Sequence, residues 1–241
     1  MLRKINRIIF LLFDYYKFLR ISFMNKDKKF SYIYKSKYWQ NIKNGSLSGG
    51  GSNEVSTSII KSELKKFIKE NNIKSIVDIP CGDWQWMSKI NLDDINYMGC
   101  DVVEDLIKSN ISIYKKNNIN FSIKNIIKDN LPNADLLIIR DLLVHLDDID
   151  IILCLENIKK SNYRYIGITN YPKLKNNNKR LFGDSLRLGD KWRAINLSRA
   201  PYNLPNPTHN LSDKNNLSVV DENKYMSIWS YNDFDITQIE K

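Results

Sequence analysis

Short apolar runs alternate with longer polar segments of helical period from about residue 54 onward. The runs predict strands over 74–79, 95–101, 119–125, 134–140 and 163–170, and the segments between them predict helices over 84–91, 103–117 and 148–161. An earlier helix is predicted from about Glu54 to Asn71, because Val55, Ile59, Leu64, Phe67 and Ile68 follow a helical period and Ser52 or Asn53 can cap its start. Such alternation specifies an α/β domain with a mostly parallel sheet and helices on both faces. After a Pro- and Asn-rich stretch, 217–220 and 225–231 read as a closing hairpin.

The junction of the first strand and its following turn carries the chemistry. Val77-Asp78-Ile79-Pro80-Cys81-Gly82-Asp83 is a strand that runs into a turn, and the second strand ends on Cys100-Asp101 before Val102. In open α/β sheets ligands bind beyond the carboxyl ends of the strands, and an acid about 20 positions after the first turn is placed to accept hydrogen bonds from ribose hydroxyls. Asp101 is that acid. G-x-G-x-x-G is absent and only Gly82 remains of its glycines, so a pyrophosphate grip is disfavoured. Carboxylates at Asp78 and Asp83 repel phosphate and favour a cationic ligand. An amino-acid-bearing sulfonium, S-adenosyl-L-methionine, fits that charge.

Four motifs occur in order: S-G-x-G-S at Ser48 to Ser52, P-C-G-D-W-x-W-M at Pro80 to Met87, R-D-x-L-V-H-L at Arg140 to Leu146, and W-R-x-x-N-L at Trp192 to Leu197. Together they resemble class I S-adenosylmethionine-dependent methyltransferases, and more narrowly a bacterial and viral subgroup often associated with glycan modification. The likeness runs from about Trp39 to Trp229. It implies a Rossmann-like methyltransferase fold, with a seven-stranded sheet and an antiparallel closing strand. It also implies a cofactor site built from Ser48, Gly49, Gly51 and Ser52 in a closing loop, and from Asp78, Pro80, Cys81, Gly82, Asp83 and Trp84 in the turn. Asp101, Val102, Asn125, Ile126 and Arg140 complete that site, with the Asn125 side-chain oxygen available to the adenine amino group.

The fourth strand delivers Asp141 to the same sheet edge. If Asp141 to Leu146 winds into a helical turn, Asp141 and His145 share a face, so a carboxylate can orient an imidazole that takes a proton from an attacking hydroxyl. These are the catalytic candidates. Thr169 and Asn170, ending the fifth strand, and Arg187, Trp192, Arg193 and Asn196, in a lid region over 171–216, are the candidate substrate contacts, because arginine pairs with anions and tryptophan offers sugars an apolar face.

The 241 residues suffice for one such domain, taken as 45–241, preceded by a basic extension and connector over 1–44. The net charge of +10 comes largely from scattered lysines, as on solvated helix faces. Nucleic acid is a disfavoured partner, since no N-P-P-Y signature follows the fourth strand. Three cysteines, Cys81, Cys100 and Cys154, lack metal spacing and argue for reduced thiols in the cytoplasm; no metal is predicted. Residues 1–24 are too interrupted to span a bilayer. They read either as a basic amphipathic helix touching the inner membrane face or as an arm packed on the domain or on another subunit. The expected function is O-methylation of a sugar hydroxyl in a surface polysaccharide such as a capsule, or in its nucleotide-linked precursor. The alternatives are a nucleic-acid methyltransferase and a non-catalytic cofactor-binding or membrane-docking subunit.

Overall fold

The computed structural model describes residues 26–40, 45–177, 192–214 and 220–240. The N-terminal arm before them, and Arg187 within the expected lid, lie outside this set. The elements are α1 (Lys26–Lys35), α2 (Ser58–Glu70), β1 (Ser75–Asp78), β2 (Asn96–Asp101), α3 (Glu104–Tyr114), β3 (Ile119–Ile123), β4 (Ala134–Ile139), α4 (Asp148–Ile158), β5 (Tyr163–Asn170), β6 (His209–Ser212) and β7 (Tyr225–Ser230). They form a seven-stranded sheet in the order β3-β2-β1-β4-β5-β7-β6. Strands β1 to β5 pair in parallel, and β7 runs antiparallel between β5 and β6. The expected mixed sheet with an antiparallel closing strand is therefore present.

Alternation along the strands sorts their side chains into two cores, because successive residues point to opposite faces. Val77, Ile79, Leu137, Ile139, Ile166 and Ile168 pack with Ile151, Leu155 and Ile158 of α4 on one face. Ile76, Leu136, Ile138, Met226 and Ile228 pack with Ile60, Leu64 and Phe67 of α2 and Ile107 of α3 on the other. Sequence order reverses between β1 and β4, which opens a crevice at their carboxyl ends.

Several elements differ from the sequence expectation, each for a local reason. No α-helix forms over 84–91: Trp84 sits at φ +57° and only a 3-10 turn follows at Met87–Lys89. Trp84, Trp86, Met87 and Ile90 are all buried, so this segment fills the core rather than showing a polar helical face. Helix α2 begins at Ser58 rather than Glu54, behind Thr57 and not Ser52 or Asn53. Val55 and Ile59 face solvent and Ile60 takes the core position. The partner of β7 is His209–Ser212, an edge strand with a single apolar residue, Leu211. Of the expected strand over 217–220, Val220 instead opens a 3-10 turn and the other residues lie outside the described set.

Candidate active site

A cavity of about 380 Å³ occupies the crevice. Its floor is the turn after β1, with Pro80, Cys81 and Gly82, and its sides are Asp101 and Val102 after β2, Asn125 and Ile126 after β3, and Arg140, Asp141 and His145 after β4. Ser48 and Ser52 close it from the glycine loop, and Phe30, Tyr34 and Trp39 roof it. The sheet edge thus gathers most of the expected cofactor residues and both catalytic candidates.

Gly82 explains why this turn tolerates no side chain. Its φ is +56°, and a Cβ there would stand 2.4 Å from Ser48 Oγ. The Gly82 N–H donates to Asp101 Oδ2 at 3.1 Å and the Val103 N–H to Oδ1 at 2.9 Å, which fixes the Asp101 carboxylate beside the cavity. Burial raises the Asp101 carboxyl to about 6, although these N–H bonds pull the other way. Asp78 lies deeper. Burial raises it to about 7 against the hydrogen bond from Tyr97 OH at 2.6 Å, and among the described residues its Oδ1 has no partner.

Asp83 does not line this cavity. Its carboxylate accepts from Ser46 Oγ, Leu47 N–H and Ser48 Oγ at 2.8, 2.7 and 3.3 Å, so it secures the glycine loop. Trp84 is likewise structural, packed among Tyr97, Tyr114 and Phe121. Gly49 (φ +95°) and Gly51 shape the loop, and the Gly51 carbonyl accepts from Arg140 Nη2 at 2.8 Å. The Asn125 side-chain oxygen accepts the Ile127 N–H at 2.9 Å, an Asx turn that commits one of its lone pairs to the loop itself. Cys81 lines the cavity, but burial pushes its thiol well up, as befits a space-filling rather than a nucleophilic cysteine. All three cysteines are buried and free.

Arg140 anchors a buried charge cluster that sequence reading missed. Its Nε and Nη2 clasp both oxygens of Asp213 at 2.9 Å, its Nη1 stands 3.3 Å from Asp141 Oδ2, and its guanidinium lies 5.0 Å from the Trp86 ring centre. Lys224 Nζ bridges Asp141 Oδ2 at 2.7 Å and Asp213 Oδ2 at 3.1 Å. Burial pushes the Asp141 carboxyl up, but attraction to Lys224 and Arg140, aided by His145, outweighs it and holds the group far below the usual range, at about 2. Asp141 adopts φ +56°, a left-handed conformation secured by its N–H bond to Thr169 Oγ1 at 2.8 Å. The expected turn over 141–146 is a 3-10 turn at Leu143–His145, and His145 stacks on Trp39 with centroids 5.0 Å apart and planes 31° apart.

The expected substrate contacts stand elsewhere. Thr169 and Asn170 are buried, the latter bonded to Ser227 Oγ and the Leu197 N–H. Arg193 pairs with Asp148 and Tyr202, and Asn196 donates to the carbonyls of Pro172 and Leu174. Trp192 meets Tyr171 edge-on at 6.1 Å. None of these five lines the cavity. They tie the segment after β5 to the body of the domain. The sequence reading left out the roof residues and the rim lysines Lys124 and Lys128; the aromatic spacing of Tyr34 and Trp39 in the connector was the signal available for the roof.

Among the described residues no group of three His, Cys, Asp or Glu could hold a metal ion, and no helix is long and apolar enough to cross a membrane. The fold is that of the Rossmann-like methyltransferases. The N-methyltransferase NodS from Bradyrhizobium japonicum WM9 aligns over 75% of this chain and 98% of its own, at 13% identity and a TM-score of 0.53. NodS in complex with S-adenosyl-L-homocysteine aligns over 58% and 73% (15% identity, TM-score 0.47), and the methyltransferase domain of bacterial CtHen1-C over 48% and 66% (12% identity, TM-score 0.43). No protein-family model and no curated protein matches the chain.

Proposed function

We propose that this protein is an S-adenosylmethionine-dependent O-methyltransferase acting on a sugar hydroxyl of a surface polysaccharide or its nucleotide-linked precursor. The observation that carries the cofactor assignment is Asp101, a carboxylate fixed by two backbone N–H groups at the carboxyl end of β2 and lining the cavity. A cavity of about 380 Å³ lies within the roughly 300–1,000 Å³ usual for small-molecule sites. On this reading Asp101 takes the ribose hydroxyls, and Val102, Asn125 and Ile126 flank the base. Arg140, whose Nη1 among the described residues makes the ion pair with Asp141, takes the amino-acid carboxylate.

When bound, S-adenosylmethionine supplies an electrophilic methyl group on a sulfonium. The chain's part is placement and proton removal. Asp141, held near 2, is too weak a base to deprotonate a hydroxyl, so proton removal falls to His145, steadied by Trp39. Trp39, Tyr34 and Trp86 give a sugar ring apolar faces to stack on. The carbohydrate assignment rests on these aromatics and on the motif resemblance.

Calorimetric titration with S-adenosylmethionine and S-adenosylhomocysteine tests the cofactor half: binding by the wild type, lost in Asp101→Ala, is expected. A folded wild type that binds neither ligand refutes it. Transfer of labelled methyl to a capsular polysaccharide fraction or to nucleotide sugars, abolished in His145→Ala, tests the acceptor half.

A further inference from the structure

The segment that follows β5 lines no part of the cavity in the crevice, but with β6 it builds a second cleft of about 350 Å³ at the β6 margin of the sheet. Pro172, Asn196 and Ser198 form it with Arg199, Asn206 and Asn210. Strand register sets Asn210 level with Ser227 and Ile168, on the face of the sheet that packs against α4. Bonds inside the chain hold the walls. Asn196 Nδ2 donates to the Pro172 and Leu174 carbonyls at 3.1 and 2.7 Å, and its Oδ1 accepts the Ser198 N–H at 3.0 Å. Ser198 Oγ donates to the Pro205 carbonyl at 3.3 Å, and Asn210 Oδ1 accepts from Ser227 Oγ at 2.5 Å. What remains unused is mostly donors. The Asn210 NH₂, the Asn206 amide and the Arg199 guanidinium have no hydrogen-bond or ion-pair partner among the described residues. Arg140, Arg164 and Arg193 each pair with an aspartate instead. Among the described residues no carboxylate lines this cleft, so nothing in it competes for Arg199.

We propose that this cleft binds an acidic sugar of the acceptor glycan, with the carboxylate on Arg199 and ring hydroxyls on the Asn206 and Asn210 amides. A guanidinium fork pairs with a carboxylate through two parallel N–H bonds, and side-chain amides both donate to and accept from hydroxyls. The inference rests on the carbohydrate reading of the acceptor and narrows it to polymers that carry uronic acid. The cleft is a holding site and not the reacting one. In the sheet order β6 stands three strands from β4, about 14 Å at a strand spacing of roughly 4.8 Å. One sugar does not bridge that span, whereas an oligosaccharide does. A polymer held at the β6 margin presents another of its sugars to the crevice at raised effective concentration, so two weak contacts reinforce each other.

The test is calorimetric titration of the full chain with a galacturonic acid hexamer, a glucuronate-bearing hyaluronan hexasaccharide and neutral maltohexaose. At least one acidic probe is expected to bind about tenfold or more tightly than maltohexaose, and Arg199→Ala to weaken that probe by about tenfold or more. Arg199→Lys keeps the charge without the fork and should recover only part of the loss. Asn206→Ala should weaken the probe about threefold. Neither side chain is bonded within the described chain, so these variants should fold and bind S-adenosylhomocysteine as wild type does. The Lys65→Ala, Lys66→Ala double variant removes two charges from α2, outside the cleft, and should leave the affinity for the acidic probe within about twofold. Binding of neither acidic probe, equal affinity for maltohexaose, or an equal loss in the α2 variant and Arg199→Ala overturns the proposal. If both acidic probes fail while S-adenosylhomocysteine binds, the holding site falls and the cofactor reading stands. Methyl transfer to neutral polysaccharide alone likewise overturns the acidic restriction and keeps the carbohydrate reading.

Discussion

Replacing Gly82 with alanine should disable the site through one identifiable collision. The left-handed backbone at φ +56° costs an alanine about 1–2 kcal/mol. The new Cβ would also stand 2.4 Å from Ser48 Oγ, so the hydroxyl must move. That hydroxyl meets Tyr34 OH at 3.0 Å and Asp83 Oδ1 at 3.3 Å, and it accepts the Asp83 N–H at 3.2 Å. Losing these long bonds costs about 2 kcal/mol, taking roughly 0.5–1.5 kcal/mol for each. The single variant should thus lose about 3–4 kcal/mol, or about 10 °C in Tm for a chain of this size. Ser48→Ala alone should lose about 2 kcal/mol. The double variant should lose little more than Gly82→Ala, because the same hydroxyl contacts are surrendered once, which leaves a coupling of about 2 kcal/mol. Thermal unfolding of the four proteins measures this cycle directly. Additive losses would refute the idea that Gly82 is required because of Ser48.

Asp78 should make stability depend on pH. Its folded pKa of about 7 lies above the ordinary carboxyl value, so the folded state binds more protons between pH 4 and 7 and stability falls as pH rises through that window. Asp78→Asn, which stays neutral, should gain roughly 2–3 kcal/mol on wild type between pH 5 and pH 8 in urea unfolding, at about 1.4 kcal/mol per unit; parallel curves would contradict the assignment. Trp39→Ala should weaken S-adenosylhomocysteine binding about tenfold by opening the roof, while Trp39→Phe keeps most of the affinity; unchanged binding in Trp39→Ala would remove the roof from the site.

Short apolar runs located all five parallel strands to within about two residues, because strands buried on both faces are apolar along much of their length. The positions of Asp101, Gly82 and Arg140 on the cavity wall were legible because strand ends at a switch point fall at known offsets. Asp213 and Lys224 were not. They sit in polar stretches around a weak edge strand, and only the pairing of β6 with β7 brings them to Arg140. Asp83 and Trp84 were misread because a motif names residues without saying which serve the ligand and which hold the loop. The segment Trp192 to Asn196 was misread for a related reason: its arginine, tryptophan and asparagine are types that bind sugars, but here their partners lie within the chain.

The charge cluster also bears on how the chain is made. Arg140 meets Asp213 across 73 residues, Asp141 meets Lys224 across 83, and Gly51 meets Arg140 across 89. During synthesis Arg140 and Asp141 emerge long before Asp213 and Lys224, and until β6 and β7 are in place they lack those two partners and keep each other, the Gly51 carbonyl and Thr169. Contacts of such separation repay their loop-closure entropy late in folding. The crevice therefore becomes competent only after the final hairpin has docked, so ligand capture by a nascent or refolding chain would report completion of the whole sheet rather than of its parallel half alone.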